Sequence, residues 1–188
     1  MKSIKIIYLL LCSGTLLTSC TKSSSLQSYY VDKMEDASFL IINLPFQLES
    51  LFDQDLSEQE QMIVSSIEKL NLLLYLPKEK QKEKYEKELV TISQILTQKR
   101  YQHLMDFRAF EKAEGSLLFE GSTDAVEEGI VFLKIGKKGF SVLRILGSDI
   151  NPASLMNLVK KVDLKLLKKQ LKYSIGSIEG LFPVEKEN

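Results

Sequence analysis

The chain is short of the residues from which catalytic, metal and redox sites are most often built. Among 188 residues there are two cysteines and one histidine, and 25 Lys and Arg stand against 25 Asp and Glu. That balance excludes the basic surplus with which a nucleic-acid binder displaces counterions. One histidine puts a His-based structural zinc site, which needs four Cys or His ligands, out of reach. No apolar run is long enough to cross about 30 Å of hydrocarbon as a permanent helix. The longest lies near the N-terminus and is interrupted by Ser13, Gly14 and Thr15. Internal repeats and long low-complexity segments are also missing, so one core of ordinary size is expected.

The N-terminus carries the clearest signal. Lys2 and Lys5 precede the apolar stretch Ile6 to Leu11, and small residues follow, as in a secretory signal. Leu17, Thr18 and Ser19 then lead into Cys20, which resembles the lipobox of signal peptidase II substrates. Cys12 follows three leucines and has no small residue before it, so it does not compete as the acceptor. Residues 1–19 are therefore expected to be a lipoprotein signal peptide. The mature chain would start at Cys20 with a covalent diacylglycerol and an N-acyl chain such as palmitate, the multiple-chain anchoring that a single myristoyl group cannot supply. With that sulfur acylated, no disulfide, redox pair or thiolate metal site remains. Removal of residues 1–19 from the 188 leaves 169, and because two lysines and no acids are lost the formal charge becomes −2. Thr21 to Ser28 is polar and serine-rich, the composition of a flexible tether. The expected layout is a lipidated Cys and tether over 20–36, a single domain over 37–173 and a tail over 174–188.

Within the domain, Ser38 to Leu44 reads as a buried strand stopped by Pro45, and Phe46 to Asp53 as a short helix. Ser57 stands three before Glu60, a capping box ahead of a helix from about Glu58 to Glu68. Leu70 to Leu76 reads as a second strand, and Lys78 to Gln98, with Tyr85, Leu89, Ile92 and Leu96 on one face, as a long amphipathic helix. Tyr101 to Arg108, Ser116 to Gly121, Glu127 to Ile135 and Phe140 to Leu146 read as a four-strand antiparallel meander. The intervening turns fall at Glu114-Gly115, Gly121-Ser122 and Gly136-Lys137-Lys138-Gly139. Asn151 before Pro152 starts a last helix with Leu155, Val159, Val162 and Leu166 on its face. The order implies an α+β fold, a mostly antiparallel sheet with helices on one face. The other face would be polar, with Arg108, Glu120, Lys134 and Arg144 alternating with apolar neighbours.

Two stretches carry a family resemblance. Tyr101-Gln102-His103-Leu104-Met105 resembles a "YEELM" motif. The run from Phe140 through Arg144 and Gly147 to Asp149-Ile150 resembles a "strand, Gly, x, Asp-Ile" segment before a helix. Behind a lipobox, these are similar to a Bacteroidetes envelope lipoprotein family catalogued as domain of unknown function 4252, over about Ala37 to Val162. The helix around Ser57 to Ser66 and the long charged helix at Lys78 depart from it. The resemblance implies an exported α+β domain and supplies no catalytic residues. Two analogies to other lipoproteins imply outer-membrane attachment facing the periplasm: Thr21 replaces an inner-membrane retention Asp, and Lys22-Ser23-Ser24-Ser25 lacks acids.

Candidate chemistry is sparse. His103 lies in an apparent strand with no partner placed by sequence, and a triad is recognised only by geometry. Asp53, Asp55 and Ser57 have calcium-loop spacing, but Glu58 and Val64 stand where Gly and a bidentate Glu are required. The Gly136 to Gly139 segment lies between strands and lacks phosphate-loop spacing, so it is a hairpin turn. Glu127 and Glu128 point to opposite faces and read as a strand edge. Lys160, Lys161, Lys165, Lys168, Lys169 and Lys172 gather near the C-terminus with Asp163 as the one acid among them, either a solvated helix face or a patch for anionic headgroups or an acidic partner. The sequence thus points to a non-enzymatic, lipid-anchored envelope module that binds an envelope protein, with no cofactor or metal and no nucleic acid. The alternative is a small hydrolase or hydrophobic-ligand carrier with a pocket between sheet and helices.

Overall fold

The computed structural model describes residues 25–44, 48–52, 55–77, 81–110, 113–122 and 126–175. Helix α1 (Leu26–Lys33) leads into strand β1 (Phe39–Asn43), a 3-10 turn (Leu48–Leu51), α2 (Glu58–Ser66) and β2 (Ile67–Tyr75). Then come α3 (Lys82–Leu96), β3 (Gln102–Phe110), β4 (Ala113–Gly121), β5 (Val126–Ile135), β6 (Phe140–Ile150), α4 (Pro152–Lys161) and α5 (Leu164–Ile175). The strands form one open antiparallel sheet in the order β1-β2-β6-β5-β4-β3. The class is α+β, and the meander β3 to β6 is present.

Local chemistry explains the element boundaries. Ser57 accepts a hydrogen bond from the Glu60 N–H while the Glu60 carboxylate accepts from the Ser57 N–H at 2.8 Å, closing the capping box of α2. Asn151 Oδ1 accepts from the Ala153 and Ser154 amides at 3.0 and 3.1 Å, with Pro152 at the first helical position of α4. The β5–β6 hairpin turns through Gly136 and Gly139, both at positive φ. At Gly139 a Cβ would also lie 2.0 Å from the Tyr75 carbonyl oxygen, so only glycine fits.

Helices cover both faces of the sheet, which corrects the one-faced expectation. On the first face α1 and α3 place Leu26, Tyr29, Tyr30, Tyr85, Ile92 and Ile95 over Leu73, Tyr75, Phe140, Val142 and Ile130. On the second, α2 and α4 place Ile63, Val64, Leu155 and Leu158 over Leu70, Leu117, Phe119 and Ile145. Leu167 of α5 packs beside them over Leu72, Leu74 and Ile135. Side chains alternate across a strand, so Leu72 and Leu74 face one layer while Leu73 and Tyr75 face the other.

Other expectations change with it. Residues 26–33, assigned to a tether, form α1, whose Ser25 cap accepts from the Ser28 N–H. Ile67 and Glu68 open β2 directly from the end of α2 rather than extending the helix. Glu114 and Gly115 are not a turn, since they pair with Arg108 and Phe107 inside the β3–β4 ladder. Gly147 does not end β6, which runs to Ile150; it admits the Ser66 carbonyl, which a Cβ there would meet at 2.3 Å. The single last helix is two, broken at Val162 and Asp163, where the Asp163 N–H donates to the Leu51 carbonyl at 2.8 Å. Of the expected Phe46 to Asp53 helix, the described part is the 3-10 turn followed by Phe52, which bridges to Val162.

Candidate functional site

Leu17, Thr18, Ser19 and Cys20 lie outside the described residues, as do 176–188. No helix among the described residues is long and apolar enough to cross a membrane.

His103 sits in β3 on the outer half of the first face, beyond the cover of α1 and α3. Antiparallel register brings Asp106 opposite Ser116 and His103 opposite Leu118. Sequence reasoning had placed no partner for the histidine. The structure supplies two polar neighbours: Asp106 Oδ1 lies 2.9 Å from His103 Nε2 and accepts from the Ser116 hydroxyl at 2.7 Å. Those contacts hold the Asp106 carboxyl below its ordinary range, the His103 bond first and the Ser116 bond second.

This trio has triad composition in the wrong order. In a hydrolytic triad the imidazole stands between hydroxyl and carboxylate, so that it can take the proton from the nucleophile. Here the carboxylate stands in the middle and accepts the hydroxyl's hydrogen bond, so Ser116 faces a weak carboxylate base and not the imidazole. The side chains of His103 and Asp106 are 51% and 73% exposed, so water also screens whatever field they make. Asp106 and Ser116, but not His103, line an open concavity of about 590 Å³ together with Arg108, Glu114, Phe132 and Lys134. Arg108, Glu114 and Lys134 lie in register across three strands, so cation and anion alternate along the row. No group of three or more His, Cys, Asp or Glu able to hold a metal ion occurs among the described residues.

The layer where the alternative reading would put a pocket is occupied by rings. Tyr75 lies 4.6 Å from Phe39, 5.2 Å from Phe140 and 6.2 Å from Tyr85, centroid to centroid. Several polar atoms within this layer find partners, while the buried Tyr75 and Tyr101 hydroxyls have none among the described residues. The Tyr29 hydroxyl donates to Glu88 at 2.8 Å, Lys33 pairs with Glu88 at 2.5 Å, and Tyr30 donates to the Val142 carbonyl at 2.6 Å. Burial, reinforced by Glu88, pushes the Tyr29 hydroxyl far above its ordinary range.

Beside it Arg144 clasps Glu128 with two bonds, 2.6 and 3.1 Å, donates to Gln27 of α1 and lies over the Tyr30 ring at 5.3 Å. Arg144 is therefore buried, not on a solvated face, and Glu128 is its counter-ion, not a strand edge; Glu127 alone is exposed. Burial pulls the Arg144 guanidinium down, but the Glu128 bond and charge outweigh it and leave it raised. Strand alternation puts Glu128 on the face of Ile130, but which charge meets it is set by the β6 register.

The lysine cluster is divided by the structure. Lys161 reaches back to Glu60 at 2.7 Å and so belongs to the α2–α4 contact. Lys160, Lys165, Lys169 and Lys172 are exposed; the side chain of Lys168 lies outside the described set. Asp163 is engaged as the cap of α5, accepting from the Lys165 and Leu166 amides at 2.6 and 3.0 Å.

A family model described as Domain of unknown function (DUF4252) matches residues 29–158. The chain belongs to this family. The DUF4252 match opens inside α1 and closes inside α4, so it takes in all six strands and both helical layers. It begins earlier than Ala37, because Tyr29 and Tyr30 are core residues of the domain and not tether. It stops before the end of α4, so all four exposed lysines lie beyond the DUF4252 match. No curated protein and no solved structure matches the chain.

Proposed function

We propose that this DUF4252 chain is a lipid-anchored envelope protein, held by acylated Cys20 and facing the periplasm from the outer membrane, that acts by binding a partner protein. The anchor rests on the Leu17-Thr18-Ser19-Cys20 context behind a short signal. The observation that carries binding over hydrolysis is the order of the polar trio: Asp106 stands between His103 and Ser116, so the hydroxyl faces a weak carboxylate base and not the imidazole. The ring-filled layer between α1, α3 and the sheet argues against a carrier for a hydrophobic ligand, which needs room there.

The test has two arms on the full chain. Fatty-acid labelling is expected to be lost in Cys20→Ala, with release from the membrane fraction; labelling that persists overturns the anchor. A fluorophosphonate probe is expected to leave Ser116 unmodified. Labelling of Ser116 that disappears in His103→Ala would make the protein a hydrolase.

A further inference from the structure

We infer that the lysine face of α4–α5 docks an acidic segment of a partner protein and does not lie on the bilayer that holds the anchor. The inference rests on the lipid-anchored binding reading above.

Lys165, Lys169 and Lys172 recur at the i, i+4, i+7 spacing of one helix stripe, and Lys165 to Lys172 covers about 10 Å at 1.5 Å rise per residue. Lys160 extends the positive surface onto α4. Among the described residues none of these four is in an ion pair. The nearby acids are few: Asp163 is engaged as a cap, Glu60 is held by Lys161, and the adjoining 3-10 turn contributes Glu49. Opposite the stripe, Leu167 packs on the second face of the sheet. The surface is a convex row of cations, not an enclosed pocket, so it suits carboxylates repeated along a chain better than one small anion.

Geometry separates protein from lipid as the source of those anions. The anchor enters through Ser25, the cap of α1, and α1 packs on the first face of the sheet. Cys20 and Ser25 are five residue steps apart, at most about 18 Å fully extended. From the α1 axis through the sheet to the outer side of α5 is about 25 Å, two layer spacings of about 10 Å plus a helix radius of about 5 Å. With α1 docked, the leash is too short to let the lysine stripe lie flat on the membrane that holds the lipid.

The experiment uses the full lipidated protein in vesicles, either phosphatidylcholine alone or with phosphatidylglycerol, and a fluorescent glutamate-rich peptide as probe. The peptide is expected to bind in both vesicle types, to weaken with salt as the Debye length falls to about 10 Å at 0.1 M, and to bind roughly tenfold more weakly to K165E/K169E/K172E. The neutral variant K165Q/K169Q/K172Q should lie between, and K82E/K87E on α3 should bind as the parent does. Amine acylation of Lys165, Lys169 and Lys172 is expected to be the same in both vesicle types. Protection of these lysines by phosphatidylglycerol makes the bilayer the occupant and overturns the inference. So does absence of peptide binding at low salt, or equal loss in K82E/K87E. Unacylated Cys20 would sink the anchor reading instead, while binding to the soluble Cys20→Ala chain still reports on the stripe.

Discussion

The two faces of the sheet are covered by helices in different ways. Under α1 and α3 lie eight aromatic rings, of Tyr29, Phe39, Tyr75, Tyr85, Phe132 and Phe140 with Tyr30 and Tyr101, threaded by the charges of Glu88, Glu128 and Arg144. Under α2, α4 and α5 the contacts are mainly Leu, Ile and Val, and the buried acid Glu60 sits at the margin with Lys161. Helix α1 has eight residues, too few to be stable alone. Directional bonds from Tyr29, Tyr30, Gln27 and Lys33 fix it where apolar area could not. On the second face the directional contacts run between helices and turn: Lys161 to Glu60, Gln170 to Ser50 and the Asp163 N–H to the Leu51 carbonyl.

The sharpest way to break the contrast is Arg144→Ala, which leaves Glu128 buried without its counter-ion. A loss of about 3–5 kcal/mol is expected in urea unfolding, and α1 should lose its amide protection first. The double change Arg144→Met with Glu128→Leu should recover most of that loss, because what costs is the unpaired charge.

Leu155→Ala tests the aliphatic face and should cost about 2–4 kcal/mol without freeing α1. It also exposes a coupling. A Cβ at Gly129 would lie 2.7 Å from Leu155 Cδ2, so Gly129→Ala should destabilise the parent by about 1–3 kcal/mol and the Leu155→Ala background by less.

The smallest expected effect is titration at the margins. The Lys161 bond, then the Ser57 amide and hydroxyl, hold the Glu60 carboxyl at about 2 against an ordinary 4.5. On the other face the Lys84 bond and the Ser38 amide hold Asp36 at about 2 against 3.8. Both acids have depressed folded values, so their contribution is complete above the unfolded values and disappears as pH falls toward about 2. Glu60→Gln should flatten part of the acid limb of a stability-versus-pH curve and leave the part due to Asp36. An unchanged limb would mean that the Lys161 contact is absent in solution.

Much of the frame was legible because its signals are local. The Ser57–Glu60 box, the Asn151-Pro152 start, the Gly136 to Gly139 hairpin and the meander each depend on neighbours in sequence. The second helical layer had a signal that alternation obscured: Leu72-Leu73-Leu74-Tyr75 and Ile130-Val131-Phe132-Leu133 are continuous apolar runs, the mark of strands buried on both faces. Helix α1 was hidden because Leu26, Tyr29 and Tyr30 make too short a period to rise above the serines before them. The pairs Arg144 with Glu128 and Tyr29 with Glu88 were out of reach, since each is set by strand register or layer packing across 16 or more residues. Sequence could list His103 but not its contact with Asp106, because simple alternation puts positions three apart on opposite faces and only the register shift between His103 and Met105 brings them together.

The place of β6 in the sheet sets a clock on folding. Strand β2 ends at Tyr75, yet the neighbour on its inner side begins at Phe140, so the hydrogen-bonded middle of the sheet cannot form until the chain is complete to Ile150. Before that, β1 and β2 make one antiparallel pair, with α2 in the connection, and β3 to β5 another sheet fragment, each with an unpaired apolar edge that invites foreign strands. Joining them requires closing a long loop, which makes the step slow and late. A chain delivered N-terminus first would therefore stay open through most of its passage and close around β6 in one cooperative event.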